Sequence, residues 1–337
     1  MVSQNSIGRY IVGAYATSPN LFTWDEKSEL IYFNLLKKMP SIRGLELPFW
    51  GESLHPFDDQ WLLSNLDSKW ENVLTCVPGT MKYLETVPRF GLASVDDNSR
   101  KEAIRFYRIA FNCVNNLKNH FGNKSVIGIY ITSSPYQNDQ KNYADRESFL
   151  MSLLELASWE WGNTNILIEH CDAITKENPN PKKGFLSIED EISAIKQAND
   201  KCGSNIGILI NWGRSVIEDR NVNGPIRHIK YAVQNKVLSG LMFSGTTAND
   251  NNLYGAWSDL HMPPAPFSDY QYFEPQSLMS FYNIKNALAA CDYNMLGYVG
   301  IKLLAFPDDS PIEKRIGLNR DAIMLLDHAL NGIKTSK

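Results

Sequence analysis

Eight short apolar runs recur along the chain, at Tyr10–Tyr15, Ile42–Leu47, Val73–Val77, Val126–Thr132, Ile166–Cys171, Ile206–Asn211, Leu238–Ser244 and Tyr298–Leu304. Several are nearly unbroken aliphatic and β-branched stretches (VIGIYIT, NILIEH, NIGILIN), the pattern of strands covered on both faces. Amphipathic stretches at helical spacing separate them: Asp25–Lys38, Arg100–Phe121, Arg146–Trp161, Ile188–Asp200, Ile226–Asn235, Ser277–Cys291 and Ile312–Ile333. Ser187 followed by Glu189, Asp190 and Glu191 reads as a capped helix start, and Pro311 suits a first helical position. Trp61–Trp70 has the weakest helical pattern.

Eight strand–helix alternations predict an α/β protein, a (β/α)8 TIM barrel, because eight parallel strands close on themselves. No G-x-G-x-x-G or P-loop follows a strand, which argues against a doubly wound nucleotide-binding sheet. No Pro-, Gly- or Ser-rich linker divides the chain, so residues 1–337 are read as a single domain. Connections are long after strands 2 (Pro48–Asp59), 5 (Asp172–Leu186) and 7 (Gly245–Pro275). Long connections are usually functional, and these three follow strands, on the face where barrel enzymes do their chemistry.

Composition changes this picture little. Hydrophobic residues make up 43% and charged residues 21%, and the net charge of −4 gives no reason to expect a nucleic acid or a membrane surface as partner. No apolar run reaches the roughly 20 residues of a membrane span. The polar Met1–Arg9 leads straight into a strand pattern, so no secretory leader is expected. Five dispersed cysteines without C-x-x-C spacing suit reduced thiols in a cytoplasm.

The candidate chemistry lies in polar residues that end apolar strands: Glu46, Glu169, Asn211, Ser244 and Lys302, with Arg214 just beyond. A charge in such a place is costly unless paired, so Glu169 and Lys302 are expected either to neutralise each other or to serve a ligand. Alternation sends Glu169 and His170 to opposite faces of one strand, with Glu169 expected to face the barrel centre. His55, His170 and His261 follow strands and belong to the catalytic face, whereas His120, His228 and His328 fall in helices. Phe49, Trp50, Trp212, Tyr254 and Trp257 crowd the strand-end side. Together with carboxylates, amides and Arg214, they point to a polar ring-shaped ligand.

Gly13-Ala14-Tyr15, Gly44-Leu45-Glu46-Leu47-Pro48-Phe49, Val77-Pro78-Gly79-Thr80-Met81, Leu241-Met242-Phe243-Ser244-Gly245 and Trp257-Ser258-Asp259-Leu260-His261-Met262-Pro263-Pro264 resemble an uncharacterised bacterial family of the xylose isomerase-like TIM-barrel superfamily. The resemblance covers nearly the whole chain. It implies the barrel and, by analogy, sugar isomerase or epimerase chemistry. In that superfamily a divalent metal is held by Glu, Asp, His and Glu on strands 5 to 8. Carried over, Glu169 matches the first, while Asn211, Ser244 and Lys302 stand at the other three positions. Asn is a weaker ligand than Asp, and an ammonium repels a cation.

The leading expectation is therefore an isomerase or epimerase with an altered or absent metal site. Glu169 would be the base, Lys302 the electrophile and Glu46 a second acid–base group. Asn211, Arg214, Trp50, Trp212, His55, Trp257 and His261 would hold the substrate. Glu169, His170, Asp172 and His261 form an alternative donor set for manganese, zinc or cobalt. Other readings are a Schiff-base lyase or aldolase using Lys302, a glycosidase using Glu46 and Glu169, and a carbohydrate-binding barrel without catalysis. The ligand in each is a small carbohydrate-like molecule, and a homo-oligomer is allowed.

Overall fold

Parallel pairing runs in a full circle in the computed structural model, which describes residues 9–20, 23–138 and 141–334. The barrel strands are β1 (Tyr10–Val12), β2 (Ile42–Pro48), β3 (Asn72–Thr75), β4 (Val126–Ile131), β5 (Asn165–His170), β6 (Gly207–Asn211), β7 (Leu238–Phe243) and β8 (Tyr298–Ile301). Each pairs with its sequence neighbours, and β8 closes onto β1 through Ile11 opposite Gly300. All eight coincide with the apolar runs read from the sequence, within a few residues at their ends.

Helices cover the outside: α1 (Ala14–Thr17), α2 (Glu26–Leu36), α3 (Asp59–Asn65), α4 (Val77–Thr86), α5 (Asp97–Phe121), α6 (Arg146–Ala157), α7 (Ile188–Cys202), α8 (Trp212–Asp219), α9 (Gly224–Gln234), α10 (Phe281–Ala289) and α11 (Ile312–Lys334). Side-chain caps start most of the longer ones: Asp25, Asp96, Asp145, Ser187 and Ser280 each accept from a backbone N–H in the first turn. The helix expected in Trp61–Trp70 is only Asp59–Asn65. No helix among the described residues is long and apolar enough to cross a membrane. The reading of the N-terminal segment falls on residues 1–8, outside the described residues.

Two apolar layers result from strand alternation. Ile11, Val73, Tyr130, Leu167, Leu209, Met242 and Tyr298 fill the barrel interior, and the larger core lies between strands and helices. Neighbouring parallel residues in register share a face, so Leu167, Leu209, Met242 and Gly300 mark the inward phase. Two residues further on, the same phase brings Glu169, Asn211, Ser244 and Lys302 to the C-terminal mouth. Glu46, in register with Val73, joins them from β2.

Candidate active site

The mouth of the barrel holds a ring of buried charges. Lys302 Nζ lies 2.5 Å from Glu46 Oε1 and 3.7 Å from Glu169 Oε1, all three side chains being fully buried. Gly13 makes room for the lysine stem, since a Cβ there would stand 2.9 Å from Lys302 Cγ. Glu169 has stronger partners than Lys302: Arg214 Nη1 lies 2.7 Å from Oε1, and Asn211 Nδ2 donates to the same oxygen at 3.3 Å. The expected Glu169–Lys302 pair is thus a longer contact within a four-charge network, and Glu46 is the near partner of Lys302. The Lys302–Glu46 contact lacks hydrogen-bond angles, so Nζ and both Glu46 oxygens have no well-formed hydrogen bond, nor does Glu169 Oε2.

The long loop after β7 lowers Asp259 over this ring. Asp259 Oδ2 accepts from Lys183 Nζ at 2.6 Å and from Arg214 Nε at 3.0 Å. Backbone bonds fix the loop: Gly245 and Met262 exchange hydrogen bonds of 2.8 and 3.0 Å, and Leu304 N–H donates to His261 O at 2.8 Å. Trp257 and His261 adopt left-handed φ values of 52° and 51°, a costly conformation for side-chain-bearing residues. His261 Nδ1 lies 3.3 Å from Asp259 Oδ1.

The two central carboxyls are held in different states. Burial pushes Glu46 up to about 7, with Lys302 pulling it down and Glu169 pushing it up. Burial also opposes ionisation of Glu169, but Arg214 and Lys302 outweigh it and hold that carboxyl below its ordinary range. Glu46 is closer to Lys302, yet Glu169 ionises more easily because it has a second cation and an amide donor. For Lys302 itself, burial disfavours the ammonium, but Glu169 and Glu46 together raise its pKa.

Glu46 also forms part of the wall of a cleft, with Lys302 directly behind it. Between the loops after β1 and β2 lies this narrow cleft, which opens to solvent and is lined by Tyr15 and Glu46 and by Trp50, His55 and Phe57. His55 Nδ1 accepts from the Asp58 N–H at 2.9 Å, so its proton is on Nε2, which faces Glu29 Oε2 at 3.3 Å. Trp24 Nε1 donates to the same Glu29 oxygen at 2.7 Å.

Several sequence candidates are placed elsewhere. Trp212 opens α8 and is packed in the outer core at 2% exposure, because strand β6 runs straight into the helix. Phe49 is likewise in the core, Tyr254 donates to Leu304 O, and Trp257 lies beside Arg220 at 5.2 Å. Of the aromatic set, only Trp50 lines the cleft. Asn211 and Arg214 are at the mouth, but their polar atoms are occupied by Ser244, Glu169 and Asp259.

The donor set Glu169, His170, Asp172 and His261 is not assembled. Alternation turns His170 out of the barrel, where Glu191 (2.7 Å to Nδ1) and Glu218 (2.9 Å to Nε2) hold it. Asp172 sits by Lys183, 3.7 Å from Nζ. Burial disfavours the His170 imidazolium, but these two carboxylates raise its pKa to about 10. The metal position implied by resemblance does not fit either. Asn211 Oδ1 takes the Arg214 N–H and the Ser244 hydroxyl, which turns its NH2 rather than a lone pair toward Glu169, and two cations flank that carboxylate. Among the described residues, His170, Glu218 and His228 are the one group of three donors close enough to share an ion, their atoms within 4.8 Å. This group lies behind the barrel. Every member is hydrogen-bonded, and Arg227 Nη2 stands 2.7 Å from His228 Nε2. His228 falls in a helix as the sequence indicates, and it is fully buried because α9 packs it onto Glu218 and Ser215. Sequence reasoning also passed over Lys183, Asp259 and Glu29, whose positions in loops and a helix gave no signal.

The chain matches the family described as Domain of unknown function (DUF4862) over residues 11–318. It is 36% identical, over 97% of its length and 99% of the relative's, to an uncharacterized protein of Salmonella typhimurium strain LT2. Among solved structures it is similar to the zinc-bound IolI protein (TM-score 0.58, 12% identity, 95% of this chain and 99% of that one). It is also similar to D-psicose 3-epimerase determined with D-fructose (0.55, 13%, 95% and 100%) and to 3-keto-D-glucoside 4-epimerase from E. coli (0.51, 13%, 97% and 99%). The chain belongs to the DUF4862 family, and its fold is that of the xylose isomerase-like TIM barrels.

Proposed function

We propose that this protein is a sugar or sugar-derivative isomerase or epimerase that moves a proton between neighbouring carbons, with Glu46 as the acid–base group and Lys302 as the electrophile. The observation that carries it is the pair of inward carboxyls around one buried lysine, Glu169 held also by Arg214 and Asn211 and Glu46 by Lys302 alone. A carboxyl near pH 7 can both take and return a proton at neutral pH. Glu46 is also the one that reaches the cleft, so we assign the transfer to it and a positioning role to Glu169.

In this reading, substrate enters the cleft and places a C–H bond beside a carbonyl carbon against Glu46. Glu46 in its carboxylate form removes the proton, and the substrate oxygen becomes negative. The Lys302 ammonium, fixed between Glu46 and Glu169, stabilises that oxygen with a charge already in place. Glu169, Arg214 and Asn211 keep Lys302 charged and in place, and Asp259 with Lys183 closes the mouth. Glu46 then returns the proton to the neighbouring carbon, while the proton of the adjacent hydroxyl passes to the oxygen that Lys302 stabilised and leaves the new carbonyl behind. No step is routed through a metal, because the residues at the implied position do not suit one.

The neighbours of Lys302 favour its ammonium, whereas imine formation needs a free amine, so the Schiff-base reading has less support. The test is exchange: incubate the protein with aldoses and ketoses in D2O and follow loss of the C1–H and C2–H signals by proton NMR. Protein-dependent exchange that rises with pH through about 7 and disappears in Glu46→Gln is expected. Exchange that persists in Glu46→Gln refutes the assignment, and a folded protein that catalyses none leaves the carbohydrate-binding barrel.

A further inference from the structure

The chemistry of the cleft says which sugars it takes. Its lining contains two carboxyls, Glu29 and Glu46, and no lysine or arginine. The cations nearby are committed. Lys302 lies on Glu46 and Glu169, Arg214 on Glu169 and Asp259, and Lys183 on Asp259. Arg315, in the adjoining hollow that shares Ser18, donates to the carbonyls of Ser310 and Ser18 at 2.8 Å, to Thr17 at 3.3 Å, and to Asp308. Arg220 keeps an unpartnered Nη1, but it is not part of the cleft lining.

The remaining surface is mostly apolar and aromatic, with Ser18, Asn20 and His55 as further polar residues. Phe57 is 50% exposed at the rim and lies flat on Trp24, with centroids 5.7 Å apart and planes within 4°. This gives a preformed platform for the C–H face of a ring. Deeper in, the Glu46 oxygens are buried without well-formed hydrogen bonds, so hydroxyls at the inner end would complete them.

We propose that the cleft binds a neutral, unphosphorylated sugar or polyol, and that Glu29 and Glu46 exclude phosphate esters. The inference rests on the isomerase reading for the reaction but concerns only ligand class. A phosphate dianion placed in this cleft meets Glu29 and Glu46, and the cation within reach, Lys302, is already shared between Glu46 and Glu169; like charges brought together in a part-buried site select against the wrong partner.

The experiment titrates the full chain with a panel of aldoses, ketoses and polyols, each paired with its phosphate ester. Glucose and glucose 6-phosphate, and fructose and fructose 6-phosphate, are the first pairs, read by saturation-transfer NMR and calorimetry. At least one neutral member should bind, with its phosphate ester at least tenfold weaker. Phe57→Ala, an exposed change that leaves the fold alone, should weaken the neutral ligand about fivefold or more, and Glu29→Gln should narrow the discrimination. Equal or tighter binding of an ester, or binding of no neutral member, overturns the proposal. Glu46-dependent deuterium exchange into a phosphate ester would overturn the ligand class while leaving the proton-transfer reading standing. Neutral-sugar binding without any exchange would do the reverse.

Discussion

Replacing Lys302 by Met keeps most of the stem's volume and removes the buried ammonium. Nζ stands 2.5 Å from Glu46 and 3.7 Å from Glu169, and at an effective dielectric of ~20 these contacts represent attractions of about 7 and about 4 kcal/mol. Desolvation of the ammonium cancels several kcal/mol of that, so the net loss should fall in the range of about 3–5 kcal/mol found when one partner of a buried pair is removed. Glu169 retains Arg214 and Asn211, so Glu46 carries most of the damage and responds by holding its proton more tightly. In the wild type, the Glu46 carboxyl titrates near 7, raised from its unfolded value. Its contribution to stability is therefore present below the ordinary carboxyl range and lost as pH rises through about 7. Without Lys302 the folded chain keeps that proton to higher pH, where the wild type and the unfolded chain have both released it. The variant then loses about 1.4 kcal/mol per pH unit in this window. The gap to wild type should be wider by about 2 kcal/mol at about pH 8.5 than at about pH 6. Urea unfolding followed by tryptophan fluorescence at the two pH values measures both quantities. A loss under about 1 kcal/mol, or a gap that does not widen with pH, would refute a charged Lys302 poising Glu46.

His170→Ala removes a cation between Glu191 and Glu218 and should cost about 3–5 kcal/mol, seen as a lower melting temperature. Because the His170 pKa is raised to about 10, wild-type stability should fall as pH climbs toward that value, and this slope should flatten in the variant. Asp259→Asn loosens the ties to Arg214 and Lys183; hydrogen exchange should quicken in residues 245–275 while the barrel strands stay protected. Gly13→Ala drives a Cβ to 2.9 Å from Lys302 Cγ. It should cost about 1–3 kcal/mol by overpacking, and displace the lysine enough to slow exchange catalysis.

The eight strands were legible because parallel strands covered on both faces must be apolar almost throughout, and that pattern is strong even in a single chain. Strand alternation went further: it put Glu169 and His170 on opposite faces without any tertiary information, though not which of them faces inward. The short helices α1, α4 and α8 were not legible as helices, since each continues within a residue or so of a strand end and offers no separate amphipathic stretch. Which charges pair was also hidden. Glu46 and Lys302 are 256 positions apart in the numbering, and only closure of β8 onto β1 and β2 brings them together. Asp259 reaches Arg214 because the β7 loop folds back along Gly245 and Met262. His228 is buried because α9 packs it onto Glu218 and Ser215. Local periodicity determined the strands and the alternation of their faces. Selection among cations for each carboxylate came from long-range packing in a low-dielectric mouth, where a change of about 1 Å decides which pair forms.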